Sequence, residues 1–126
     1  FRRLLISASE DIGLADPNAI VVVSSCYGAF GKVGYPEGYY FLSQASLFLA
    51  ISPKSNSTKC IFNAFEAVKS NKLSLVPDHL KYNSKTYKNP HNYPKNDLIQ
   101  KYMPNNLIEH KIWHANKSGW EHDKKY

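Results

Sequence analysis

Between Tyr39 and Ile51 the chain carries Tyr39, Tyr40, Phe41, Leu42, Ala45, Leu47, Phe48, Leu49 and Ile51, broken by Ser43, Gln44 and Ser46. Wound at helical pitch, such a segment is apolar nearly all the way round, and a helix of that kind has to be covered on most of its sides. It is too short and too polar to span a bilayer, so no membrane partner is expected. Two roles remain: the central helix of a small core, or the surface by which one subunit meets another. The helix is expected over 36–52, with Pro53 stopping it. Tyr40, Phe41, Gln44, Leu47 and Phe48 are the candidate interface residues.

The flanking sequence reads as more helix. Leu4, Leu5, Ala8 and Ile12 recur at helical spacing, and Gly13 is placed to stop the helix they define. Asp16 followed by Pro17 reads as a cap and first turn, opening a second helix to about Lys32. The run Ile20-Val21-Val22-Val23 has strand propensity. Helix is preferred because the cap is strong and the apolar pattern continues through Cys26, Tyr27, Ala29, Phe30 and Val33. Gly31, Gly34 and Pro36 mark the next turn. Ser55 or Asn56 can cap a fourth helix to about Asn71, with Ile61, Ala64, Phe65 and Val68 on one face and Lys54, Lys59 and Lys69 exposed. Val76–Leu80 reads as a turn or a single helical turn. Residues 82–106 are rich in Asn, Lys, Tyr and Pro and read as an irregular arm, with one turn near Asp97–Tyr102. The tail, 107–126, lacks periodicity; Ile108, Ile112 and Trp113 are its candidate packed residues. The expected fold is all-α: a compact helical core over 1–81, followed by an irregular arm and tail over 82–126 of the same domain.

With 126 residues, 43% of them hydrophobic, the chain suits one compact domain rather than a disordered segment. The formal charge of +6 suits an anionic partner, nucleic acid foremost, although a solvated basic surface explains it equally well. Cys26 and Cys60 sit in apolar helical patterns and read as small buried hydrophobes, which fits a reducing, cytoplasmic setting. Phe1-Arg2-Arg3 has neither an initiator Met nor a signal-peptide pattern, and points to a piece of a longer protein.

Catalytic signatures are weak. Gly28-Ala29-Phe30-Gly31-Lys32 has the wrong spacing for a phosphate-binding loop, and Gly31-Lys32-Val33-Gly34 is not a dinucleotide fingerprint. His110 and His114 could share a metal on a helix, but no third ligand stands nearby, and two surface histidines are the better reading. Glu10-Asp11 could serve as an acid/base pair; hydrogen bonding or ion pairing with Arg2 or Arg3 is the better reading. Ser24 and Ser25 lack a nucleophile-elbow context. No catalytic residue and no metal ligand is assigned.

Several short motifs occur together in order: Arg2-Arg3-Leu4-Leu5, Ser9-Glu10-Asp11-Ile12-Gly13, Ala15-Asp16-Pro17, Val33-Gly34 with Glu37-Gly38, Gln44-Ala45, Pro53-Lys54-Ser55-Asn56, Ala64-Phe65, and Val76-Pro77 with His79-Leu80. This set resembles the C-terminal domain of the RarA/MgsA replication-associated recombination ATPases, AAA+ proteins of the clamp-loader clade. The match is dense over residues 1–81. It resumes at Pro90-His91-Asn92-Tyr93-Pro94 and at Gly119-Trp120-Glu121, and departs at 82–106. The resemblance implies a helical, non-catalytic domain that assembles four subunits of a DNA-dependent ATPase acting in replication-fork maintenance and recombination. It also implies DNA and single-strand-binding protein as partners. ATP and Mg²⁺ would belong to an ATPase domain on the N-terminal side.

Three functions therefore compete. The first is a homotetramer assembly domain. The second is a stand-alone nucleic-acid-binding module, supported by the +6 charge and the Tyr/Lys arm. A small enzyme using Glu10, Asp11 or the histidines ranks last. The DNA-binding candidates are Lys54, Lys59 and Lys69, with Lys54 next to a helix start that favours phosphate. On that reading, Lys54→Ala with Lys59→Ala flattens the salt dependence of DNA binding and leaves the melting temperature unchanged.

Overall fold

The computed structural model describes residues 1–71, 75–93, 100–108 and 110–124. Four α-helices and a series of short turns make up its regular structure, and among the described residues there is no strand. The expected turn at Asp97–Tyr102 falls partly outside the described residues. The chain divides into two compact units, Phe1–Ile61 with Trp113–Tyr126, and Phe62–Ile112.

In the first unit α1 spans Arg2–Ser7 and continues as a π-turn over Ala8–Ile12. Gly13 ends it with φ 50, a left-handed conformation that costs a glycine nothing. After the short turn Gly13–Ala15, Asp16 takes extended backbone and its side chain accepts from the Asn18 N–H at 3.0 Å. That is the cap the Asp-Pro pair foretold, and α2 runs from Asn18 to Val33. The β-branched run is helical because the cap fixes the first turn and Ala19, Val23 and Cys26 line one buried face. Helix α3 spans Gly38–Ile51 and packs on α2.

The core of this unit is built largely from small residues. Ala8, Ile12, Ala19, Val23, Cys26, Ala45 and Leu49 are buried, with Phe1, Leu4, Leu5, Val22, Phe41 and Phe48 packed around them. Gly38 lies so close to Phe30 that a Cβ there would stand 2.8 Å from the ring. Small side chains let α2 and α3 approach closely, while Tyr39, Tyr40, Leu47 and Ile51 of α3 stand exposed. Of the two roles the sequence leaves open for α3, that of a central core helix is not met within this unit: Gly38, Ala45 and Leu49 are its buried residues.

The tail also packs into the first unit. Gly119–Glu121 forms a turn against Gly13–Ala15. Gly119 has φ 60, and a Cβ on it would lie 1.9 Å from the Ala15 carbonyl oxygen, so no other residue fits. Glu121 is 0% exposed, and neither carboxylate oxygen has a hydrogen-bond partner among the described residues.

Helix α4 runs over Cys60–Ser70 after a turn at Ser57–Lys59. Ser55 holds the start of that turn rather than of α4 itself, its Oγ accepting from the Ser57 N–H at 3.1 Å. In the second unit α4 packs through Ala67, while Phe62, Phe65 and Val68 are exposed, so the Phe65–Val68 face that sequence periodicity marks out is largely open. Asn71 closes the helix by donating to the Ala67 carbonyl at 2.7 Å. Asp78–Leu80 forms the expected single turn. The Lys81 ammonium, through its hydrogen bond first and its charge second, holds the Asp78 carboxyl below its usual range. Beyond Lys81 the described backbone is irregular and tied by side chains: His79 Nε2 meets the Lys101 carbonyl at 2.8 Å, and Gln100 bonds both the N–H and the carbonyl of Lys88.

Candidate functional site

Two regions of the first unit stand out, one apolar and open, the other polar and closed. The apolar region is the outer side of α3. Tyr40, Gln44, Leu47 and Ile51 fall at i, i+4, i+7 and i+11 and share one face of the helix. Tyr40 is 79% exposed, Leu47 62% and Ile51 83%. Phe41 and Phe48, the other two interface candidates, point differently: both pack against the core. Tyr35 and Tyr39, which the sequence reading did not single out as interface residues, extend the exposed aromatic surface, with ring centroids 5.0 Å apart. The same ring series passes from Tyr35 to Phe30 at 5.2 Å and from Phe30 to Phe1 at 5.4 Å, tying the surface to the core. A groove of about 310 Å³ beside it is lined by Val21, Val22, Ser25, Cys26, Ala29, Phe41 and Gln44. Side chains this large and apolar, grouped rather than scattered, mark an interaction surface.

The polar region is the junction of two of the sequence motifs. The π-turn Ala8–Ile12 meets the segment Pro53–Lys59 through three contacts, and a fourth bond braces the π-turn itself. The Ser55 N–H donates to the Asp11 carbonyl at 2.8 Å. Thr58 Oγ1 donates to the Ser9 carbonyl at 2.8 Å. Lys59 Nζ lies 3.5 Å from the Glu10 carboxylate. Ser7 Oγ donates to Asp11 at 2.7 Å. The acidic pair is thus held by Ser7 and Lys59 rather than by Arg2 or Arg3.

Lys54 is exposed, as expected, but its ammonium turns back onto α3 rather than toward a helix start. Its ammonium donates to the Leu49 carbonyl at 2.7 Å and to the carbonyls of Ala50 and Ser52. These are the open carbonyls at the C-terminus of α3, where the helix dipole favours a cation. Lys54 caps the C-terminus of α3, which favours a lowered melting temperature on its loss over the unchanged one expected from sequence. Lys69, in the second unit, lies 3.4 Å from Glu66 on the exposed side of α4.

Among the described residues no group of three His, Cys, Asp or Glu side chains could hold a metal ion. Both cysteines are free, Cys26 buried and Cys60 half-buried. Among the described residues, no helix is long and apolar enough to cross a membrane.

An all-α domain with motifs interlocked in this way is the C-terminal module of an AAA+ ATPase. The family model described as MgsA AAA+ ATPase C terminal matches residues 1–126, and the chain belongs to that family. It is 36% identical over 129 residues to replication-associated recombination protein A of Bacillus subtilis, an alignment covering 94% of this chain and 31% of that protein. It is 34% identical over 133 residues to an uncharacterized AAA domain-containing protein of Mycobacterium tuberculosis, covering 97% of this chain and 29% of that relative. A shorter alignment to replication-associated recombination protein A of Escherichia coli is 44% identical over 66 residues, 52% of this chain and 14% of that protein. The chain thus spans about three tenths of the length of the first two relatives.

Proposed function

We propose that this chain is the assembly domain of a replication-associated AAA+ ATPase, joining copies of itself into a homotetramer and carrying no catalytic residue of its own. The observation that carries this reading is the outward stripe Tyr40, Leu47 and Ile51 on a helix whose inward side is filled by Gly38, Ala45 and Leu49. Burying such side chains contributes about 1.5–3 kcal/mol each, and a symmetric assembly repeats the gain in every subunit. Family membership supplies the context: the relatives named above carry this module as a minor part of a longer protein. ATP hydrolysis and its Mg²⁺ belong, on this reading, to the remainder of such a protein.

Weak contact with DNA phosphates through Lys59 and Lys69 is part of the same proposal. Their ion pairs with Glu10 and Glu66 are half-exposed or more, and such pairs are worth about 0–1 kcal/mol, so phosphate can displace them. Light scattering at micromolar concentration tests assembly: a mass near four chains is expected, and a monomer mass would overturn it.

A further inference from the structure

The tail of the first unit builds a second feature that assembly does not use. Trp113, Trp120, Leu14 and Lys124 line an open cleft of about 420 Å³ whose exposed wall is apolar. Trp120 is 55% exposed, and Lys124 Nζ stands 4.7 Å from the centre of its ring. The position of Trp120 is set on both sides. Gly119 lies against the Ala15 carbonyl, and Glu121 is fully buried. A half-exposed indole is therefore held between two packed neighbours on the wall of the cleft, with a cation beside it.

We propose that this cleft is a stacking site for a base of single-stranded nucleic acid, with Lys124 meeting the neighbouring phosphate. Two indoles and a leucine favour a flat apolar ligand, and every nucleobase offers a π-face without regard to sequence. The ammonium group favours a ligand that also carries an anion, and the chain's net charge of +6, with Lys117 exposed on the same tail, favours a polyanion. A docked peptide would bring a row of backbone N–H and C=O groups that must be paired, and beyond the Lys124 ammonium this wall offers them little. Stacking makes no such demand. The site lies apart from the α3 stripe, so its success or failure is separable from that of assembly.

The chain's two tryptophans are Trp113 and Trp120, so intrinsic tryptophan emission reports on this cleft alone. Titrating the chain with a short oligothymidylate is expected to quench that emission in parallel with the anisotropy of a labelled strand. Trp120→Ala should weaken binding roughly 5- to 150-fold, Trp120→Phe should restore most of it, and light scattering should show an unchanged mass. Lys124→Gln, which leaves the ring in place, should weaken binding and reduce the salt slope by about one phosphate contact. It keeps the test open if Trp120→Ala does not fold. Unchanged affinity in Trp120→Phe, Trp120→Ala and Lys124→Gln alike, or binding without quenching, overturns the proposal. So does quenching by an acidic aromatic peptide with none by oligothymidylate.

Discussion

The outer face of α3 and the junction between Ala8–Ile12 and Pro53–Lys59 are opposites. The first is made of apolar side chains that look like core and stand in the open: Tyr40, Leu47 and Ile51. The second is made of charged and polar side chains that look free and are engaged by their own chain: Lys54 on the end of α3, Lys59 on Glu10, Asp11 on Ser7. The difference teaches where the capacity for a partner lies. Apolar area left over after the domain has closed its core is available for association. A lysine whose three donors point into helix carbonyls has little left to offer.

Substitutions can break or sharpen that contrast. The largest effect belongs to Phe48→Glu. Phe48 is on α3 yet packs against the core, so an ionised carboxylate there costs at least about 3 kcal/mol and unfolds the first unit. Circular dichroism should show lost helix; a folded variant with altered mass would place Phe48 in the interface instead. Next in size is Glu121→Met. It keeps the volume and removes a buried carboxylate that has no partner among the described residues, so stability should be unchanged or higher by about 1–4 kcal/mol in a thermal melt. A drop of similar size would mean that the carboxylate is compensated. Smaller again is Lys54→Ala, which strips the α3 C-terminus of its cap and should lower stability by about 1 kcal/mol with helix content retained. An unchanged melt with a flattened salt dependence of DNA binding would return Lys54 to the phosphate reading.

The helices were legible because their signals are local. Gly13, Asp16-Pro17 and Pro53 are breaks and caps that act within one turn, and the structure places helix ends beside each. The direction of α3 was not legible. A segment apolar on every side has no preferred face, and only the partner helix, with Gly38 against Phe30, decides which side goes in. The exposure of the lysines was legible but their partners were not, for a related reason. Lys54 reaches back over α3, and Lys59 finds Glu10 across a long loop of sequence; neither geometry is periodic. The tail carried one sign read only as part of the resemblance, a glycine beside the second tryptophan. Gly119-Trp120-Glu121 places a residue at positive φ next to an aromatic one, as tight docking requires.

Leu47→Glu isolates the central claim. Leu47 is 62% exposed, so a charge there leaves the folded monomer intact and poisons only a surface that meets another chain. Light scattering on the parent chain and Leu47→Glu side by side, with a thermal melt of each, is the direct measurement. The account predicts a tetramer mass for the parent and a folded, lower-mass species for the variant. Equal masses for the two, with folding intact, would contradict it.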